Sequence, residues 1–205
     1  MSESVFDRIE KGRNECDVLQ HPFYQRWSAG ELTIEELGRY AGQYRYATQA
    51  IATLSEAAAA QAPEKRRAEL ERHAEEEREH VAMWDRFIEA TGGDVDAEAN
   101  AETAECVDSW TAEDGYLATL ARLYAIESGQ PQISRTKLEG LTEFYGIDGG
   151  PGTEYFRVHE TLDVAHADQA RRLIEEAMSE EEADSVVAEA EGAFRANWRL
   201  LDGVA

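Results

Sequence analysis

One line of side chains narrows the folds open to this chain. Phe156, His159, Asp163, His166, Ala170 and Leu173 follow one another at steps of three and four residues. At about 100° per residue, such a line stays on one side of an α-helix. Apolar residues at this spacing form the stripe that a helix turns toward a core. Here the stripe carries two imidazoles and a carboxylate between its apolar ends, in a chain with only five histidines. A fold that buries this helix must give those three groups partners, because an unpaired buried charge is strongly destabilising.

Helical periodicity runs almost from end to end, and strand signals are nearly absent. A first helix is expected over about 4–18, and HPFYQRW is a short helical piece closed by Ala29-Gly30. Thr33 caps a long helix ending near Gln61, with Glu35 and Glu36 well placed in its first turn. Pro63 opens the next helix, which stops at Gly92-Gly93. The acidic stretch GDVDAEANAETAE reads as a connection. A fifth helix starts near Thr111, breaks around Gly129-Gln130-Pro131 and resumes from about Gln132 to Phe144. IDGGPG is a loop. The helix carrying His159 follows and ends near Ser179, and a last one runs from about Glu180 to Leu201. No repeat or domain-scale linker is visible. The expectation is one all-α domain over 1–205, a bundle of about seven helices.

Two other helices carry matching seams. His73, Glu77, His80, Trp84 and Phe87 are spaced 4-3-4-3, and Glu77-x-x-His80 is the pair that carboxylate-bridged dinuclear bundles use. Leu117, Leu120, Tyr124 and Glu127 form a third line, in which a carboxylate ends an apolar stripe. EEEREH alone would be an ordinary acidic helix surface; the conjunction of three seams argues for a buried metal site. Imidazoles and carboxylates together suit Fe or Mn better than Ca or Mg, and a Cys-rich zinc site is excluded by ligand type. His159 and His166 lie about 10.5 Å apart along the helix axis, long for one coordination sphere but natural for two ions. The reading is a dinuclear iron oxygenase or oxidase with O2 as co-substrate.

Charge excludes some partners. The chain has 43 Asp plus Glu against 20 Lys plus Arg, a net charge of −23. Such a surface repels nucleic acid and anionic lipid headgroups. Only Lys11, Lys65 and Lys137 are lysines, and the excess of Asp and Glu with so little Lys suggests adaptation to a salt-rich cytoplasm. Two cysteines, Cys16 and Cys106, make no disulfide framework. With no apolar run fit for a signal peptide or a membrane span, the expectation is a soluble cytoplasmic protein.

HPFYQRW, RYAGQYRY, the H-x3-W-x2-F-x4-G of HVAMWDRFIEATG, Glu127 and the final H-x3-D-x2-H resemble the haem-oxygenase-like di-iron oxidases. The similarity covers about 20–175 and is strongest to the branch of the chlamydial protein associating with death domains, a relative of PqqC and TenA. The resemblance implies a haem-oxygenase-like bundle, two Fe ions (or a Mn/Fe pair) and a homodimer. Its ligand set, carried over, is Glu77, His80, Glu127, His159, Asp163 and His166. That branch has its first Glu seven positions before the His, where this chain has His73; Glu76 or Glu77 could take the role, and seam geometry favours Glu77. The same branch makes 4-aminobenzoate for folate from a tyrosine of its own chain, with a lysine as nitrogen donor. Tyr24, Tyr40 and Lys137 match its tyrosines and lysine.

Other classes compete. An oxidase of an external substrate, such as an amino acid or fatty acid, would use the same ligands, and so would a non-catalytic metal-binding interaction protein. TenA-type thiaminases need a cysteine nucleophile where Glu127 stands, and Cys106 comes too early. PqqC-type chemistry needs a basic anion pocket, and Arg is scarce near these seams.

Overall fold

The computed structural model describes residues 3–205. Its eight α-helices are α1 (Val5–Glu15), α2 (Pro22–Ser28), α3 (Ile34–Gln61), α4 (Glu64–Thr91), α5 (Ala101–Trp110), α6 (Tyr116–Phe144), α7 (Pro151–Ala177) and α8 (Ala183–Asp202). Short 3-10 turns at Val18–Gln20 and Glu180–Glu182 precede α2 and α8, and no strand occurs among the described residues.

Local chemistry sets the ends. Ser4 with Asp7, and Thr33 with Glu36, form reciprocal capping boxes at the starts of α1 and α3. Gly92 ends α4 at φ 68°, the left-handed conformation that glycine adopts without a Cβ clash. Pro151 occupies the first turn of α7, where its missing N–H costs nothing.

The four long helices form the frame. α3 pairs with α4 and α6 with α7, each across a short connection, while α4 packs on α7 and α3 on α6. α8 covers α6 with α1 and α5 against its flanks, and α2 packs on α6. The seams of α4, α6 and α7 all face the centre of this frame, which is why their ionisable groups meet.

Two expectations are corrected. The acidic connection contains a helix: Asn100 caps α5, whose Thr103, Cys106 and Trp110 are buried at steps of three and four. Thr111, expected to open a helix, closes this one. Pro131 does not break α6, which runs unbroken from Tyr116 to Phe144. An internal proline deletes the bond to the carbonyl four residues earlier and costs about 3 kcal/mol in isolation. Here α6 is packed along its length by α3, α7 and α8, and tertiary burial outweighs that cost. The carbonyl freed by Pro131 belongs to Glu127.

Candidate metal centre

α4 supplies His73, Glu77 and His80, α6 supplies Glu127, and α7 supplies His159, Asp163 and His166; all seven side chains are buried. Two subsets converge. His73, Glu77, Glu127 and His166 bring one donor atom each within 4.8 Å of one another, and Glu77, His80 and His159 do the same. Glu77 belongs to both, so its carboxylate lies between two potential ion positions. His73 Nε2 is 2.9 Å from Glu127 Oε1, His80 Nδ1 is 3.2 Å from Glu77 Oε1, and His166 Nδ1 is 3.5 Å from the same oxygen. Asp163 Oδ1 sits 3.7 Å from His166 Nδ1.

The fit to metal ions rests on what these atoms lack. His73 Nε2, Glu77 Oε1, His80 Nδ1, both Glu127 oxygens, His159 Nε2, both Asp163 oxygens and His166 Nδ1 are buried without a hydrogen-bond partner. Buried polar atoms are rarely left so. A cluster of this kind costs several kcal/mol unless cations sit among the donors. The outer nitrogens of two imidazoles are satisfied instead: His159 Nδ1–H donates to the Tyr155 carbonyl at 2.6 Å, and His166 Nε2–H donates to Glu76 at 3.0 Å. Both rings thereby present their other nitrogen to the interior, as metal-binding imidazoles do.

The electrostatics show the same crowding. Burial would raise the Glu77 carboxyl, yet the His166 and His80 imidazoles beside it hold it below the usual carboxylate range. Burial, then the charges of Glu127 and Glu77, push Asp163 well above that range. Burial drives His159 down to about 3. His166 is held up at about 9, because the adjacent Glu77 and Glu127 carboxylates outweigh its burial.

A second cluster adjoins the first. The Lys137 amine is fully buried with no hydrogen-bond partner, and the rings of Tyr24, Tyr40, Tyr44, Trp84 and Phe156 surround it at 4.8–5.5 Å from their centroids. Burial lowers its pKa to about 7. The Tyr24 and Tyr40 hydroxyls are 2.9 Å apart, and Gln130 donates to the Tyr44 hydroxyl at 3.2 Å. Burial raises the Tyr24 and Tyr40 phenols well above their ordinary value, so both stay protonated. Trp84 and Tyr155 join the clusters: their ring centroids are 4.8 Å apart, and Tyr155 stacks on His159 at 3.8 Å.

The structure thus brings together Glu77, His80, Glu127, His159 and His166, and separately Tyr24, Tyr40 and Lys137; Asp163 belongs to neither donor group and stands at their edge, 3.7 Å from His166 Nδ1. It adds His73, which the sequence left open and which lies on the same seam as Glu77. Glu76 points to the outer nitrogen of His166 and stands outside the donor cluster. Sequence reasoning passed over Tyr44 and Tyr155, although each lies one helical turn from a residue it had singled out (Tyr40 and His159).

The pattern that defines the iron-containing redox enzymes matches residues 38–198. A 4-aminobenzoate synthase of Nitrosomonas europaea is 34% identical, over 91% of this chain and 85% of its own length. A 4-aminobenzoate synthase of Chlamydia trachomatis is 32% identical, over 90% of this chain and 85% of its own. In three dimensions a Shewanella denitrificans domain of unknown function with a haem-oxygenase-like fold superposes with a TM-score of 0.80 at 22% identity, covering 95% of this chain and 89% of that one. A TenA homologue from P. horikoshii does so with a TM-score of 0.80 at 13% identity, covering 98% of each. These two likenesses establish the fold.

Proposed function

The chain belongs to the family of iron-containing redox enzymes with the haem-oxygenase-like fold, and from that premise we propose that it makes 4-aminobenzoate from its own Tyr24, with Lys137 as nitrogen donor and O2 as oxidant. It is an enzyme of the di-iron oxygenase or oxidase type, which sets aside a non-catalytic interaction protein. The proposed ligands are Glu77, His80, Glu127, His159, Asp163 and His166, with His73 added. Fe/Fe and Mn/Fe pairs both suit this donor set. A homodimeric, cytoplasmic enzyme is part of the same proposal; no helix of the described residues is long and apolar enough to cross a membrane.

One observation carries the reading: the Lys137 amine is sealed among aromatic rings that include those of Tyr24 and Tyr40, whose hydroxyls pair with each other. An ordinary surface lysine is charged and solvated, and has no free lone pair near neutral pH. Burial leaves a large fraction of Lys137 uncharged at pH 7, the form in which its nitrogen can bond to carbon. Tyr40 holds the Tyr24 hydroxyl in place, and the surrounding rings exclude water from the amine. When bound, the ion pair supplies the activation of O2. Trp84 and Tyr155 fill the space between the metal cluster and this pocket.

The test is reconstitution with Fe(II), alone or with Mn(II), exposure to O2 and chromatography for 4-aminobenzoate with no organic substrate added. The wild type is expected to release it once per chain at most, and Tyr24→Phe and Lys137→Arg to release none. Product from either variant at the wild-type level would overturn the self-sacrificing reading. O2 consumption that depends on an added amino acid or fatty acid, with no 4-aminobenzoate formed, would favour an external-substrate oxidase.

A further inference from the structure

We propose that Glu76 is the positioning carboxylate of His166 and that it makes the two ion positions chemically inequivalent. The inference rests on the metal-pair reading above and goes beyond its ligand set. His166 has one ring nitrogen on each side of the boundary of the site. Nδ1 is buried, without a hydrogen-bond partner, and faces Glu77 and Asp163. Nε2 lies 3.0 Å from Glu76 Oε2. Since Glu76 accepts the proton on Nε2, Nδ1 is the nitrogen that faces inward and is left to bind an ion, which would displace any proton it carries.

The second donor group is built differently. His159 uses a neutral backbone carbonyl, that of Tyr155, as the acceptor for its outer N–H. An imidazole that donates to a carboxylate gains negative character and becomes a stronger electron donor; one that donates to a carbonyl gains much less. The ion position shared by His73, Glu77, Glu127 and His166 therefore receives the stronger imidazole donor. At the position formed by Glu77, His80 and His159, the outer N–H of His159 meets a carbonyl, and no carboxylate among the described residues pairs with either imidazole from outside the group. Glu76 also lines an open cleft between α4 and α7, with Glu69, Arg72 and Gln169, so water can reach the outer edge of His166. Its carboxylate keeps that N–H from pairing with water.

The experiment titrates metal-free wild type, Glu76→Ala and Glu76→Gln with Fe(II) under anaerobic conditions, against a chelator, and records Mössbauer spectra of the loaded proteins. Glu76→Ala is expected to weaken one of the two ions by about 10–100-fold and to move one of the two iron signals, leaving the other in place. In Glu76→Gln the amide oxygen can still accept from Nε2–H, so most of the affinity returns while the same signal stays shifted by the lost charge. Unchanged affinities and spectra in Glu76→Ala, or equal weakening of both ions, would overturn the proposal. A wild type that fails to bind two ions would overturn the metal-pair reading itself, and this inference with it.

Discussion

The hydroxyls of Tyr24 and Tyr40 lie 2.9 Å apart, bringing together a phenol from the short helix α2 and one from the second turn of α3. Neither side chain is more than 2% exposed, and both rings face the Lys137 amine. Three groups distant in sequence thus share one dry pocket. Each can be perturbed separately.

Tyr24→Phe leaves the Tyr40 hydroxyl buried without its partner, a cost of about 1–3 kcal/mol. The expected outcome is a lowered melting temperature, full metal content and no 4-aminobenzoate. Calorimetry, metal analysis and the product assay check the three parts. Loss of metal in this variant would show that the two clusters are not separable.

Lys137 makes stability depend on pH. Its pKa is about 7 in the fold and about 10.4 in the unfolded chain, so between these values the unfolded state binds one proton more. Stability therefore rises with pH across this window, by up to about 1.4 kcal/mol per unit from this group. Below pH 7 both states bind the proton and the slope vanishes. Lys137→Met, which cannot ionise, should be more stable than wild type at pH 7, with the gap narrowing toward pH 10. Urea unfolding of both proteins measures it; a gap independent of pH would contradict the assignment.

Metal should stabilise the fold directly. An ion at 100 times its dissociation constant adds about 2.7 kcal/mol, and chelation should remove that gain. His73→Ala removes a donor 2.9 Å from Glu127 and should lower binding from two ions to one, read by metal analysis after gel filtration.

Gly140 is a steric key to the lysine pocket. A Cβ there would stand 2.6 Å from Trp27 Cδ1 and Nε1, and Trp27 Nε1 donates to the Lys137 carbonyl at 3.3 Å. Gly140→Ala must displace the indole, at about 1–3 kcal/mol. Its expected signature is a lowered melting temperature with a changed tryptophan fluorescence maximum.

Salt should stabilise the chain. With a net charge of −23, self-repulsion extends over about 30 Å at 0.01 M salt but only about 3 Å at 1 M. The melting temperature should rise between these concentrations in KCl; a flat or falling curve would count against adaptation to salt.

Much of this was legible in the sequence, because the bundle is built from regular 3.6-residue periods. The seams of α4, α6 and α7 could be read directly, and every carboxylate and imidazole placed on them is buried where those seams meet. α5 was obscured because its acidic residues resemble a linker, although Cys106 and Trp110 carried the periodicity. The continuity of α6 through Pro131 depends on neighbours from three other helices, which local propensity does not contain. His73 was left open for a related reason. A seam shows that a side chain faces the core, whereas the 2.9 Å approach of its Nε2 to Glu127 depends on how α4 and α6 are set across the frame.

The most direct measurement is anaerobic loading with Fe(II), metal counting, and a pulse of O2 followed by intact-mass analysis of the chain and assay of the released product. The account predicts two ions per chain, 4-aminobenzoate in solution and a lower chain mass, which peptide mapping places at Tyr24 for the lost ring and at Lys137 for the lost nitrogen. One ion or none, with the chain's mass unchanged after O2, would contradict it.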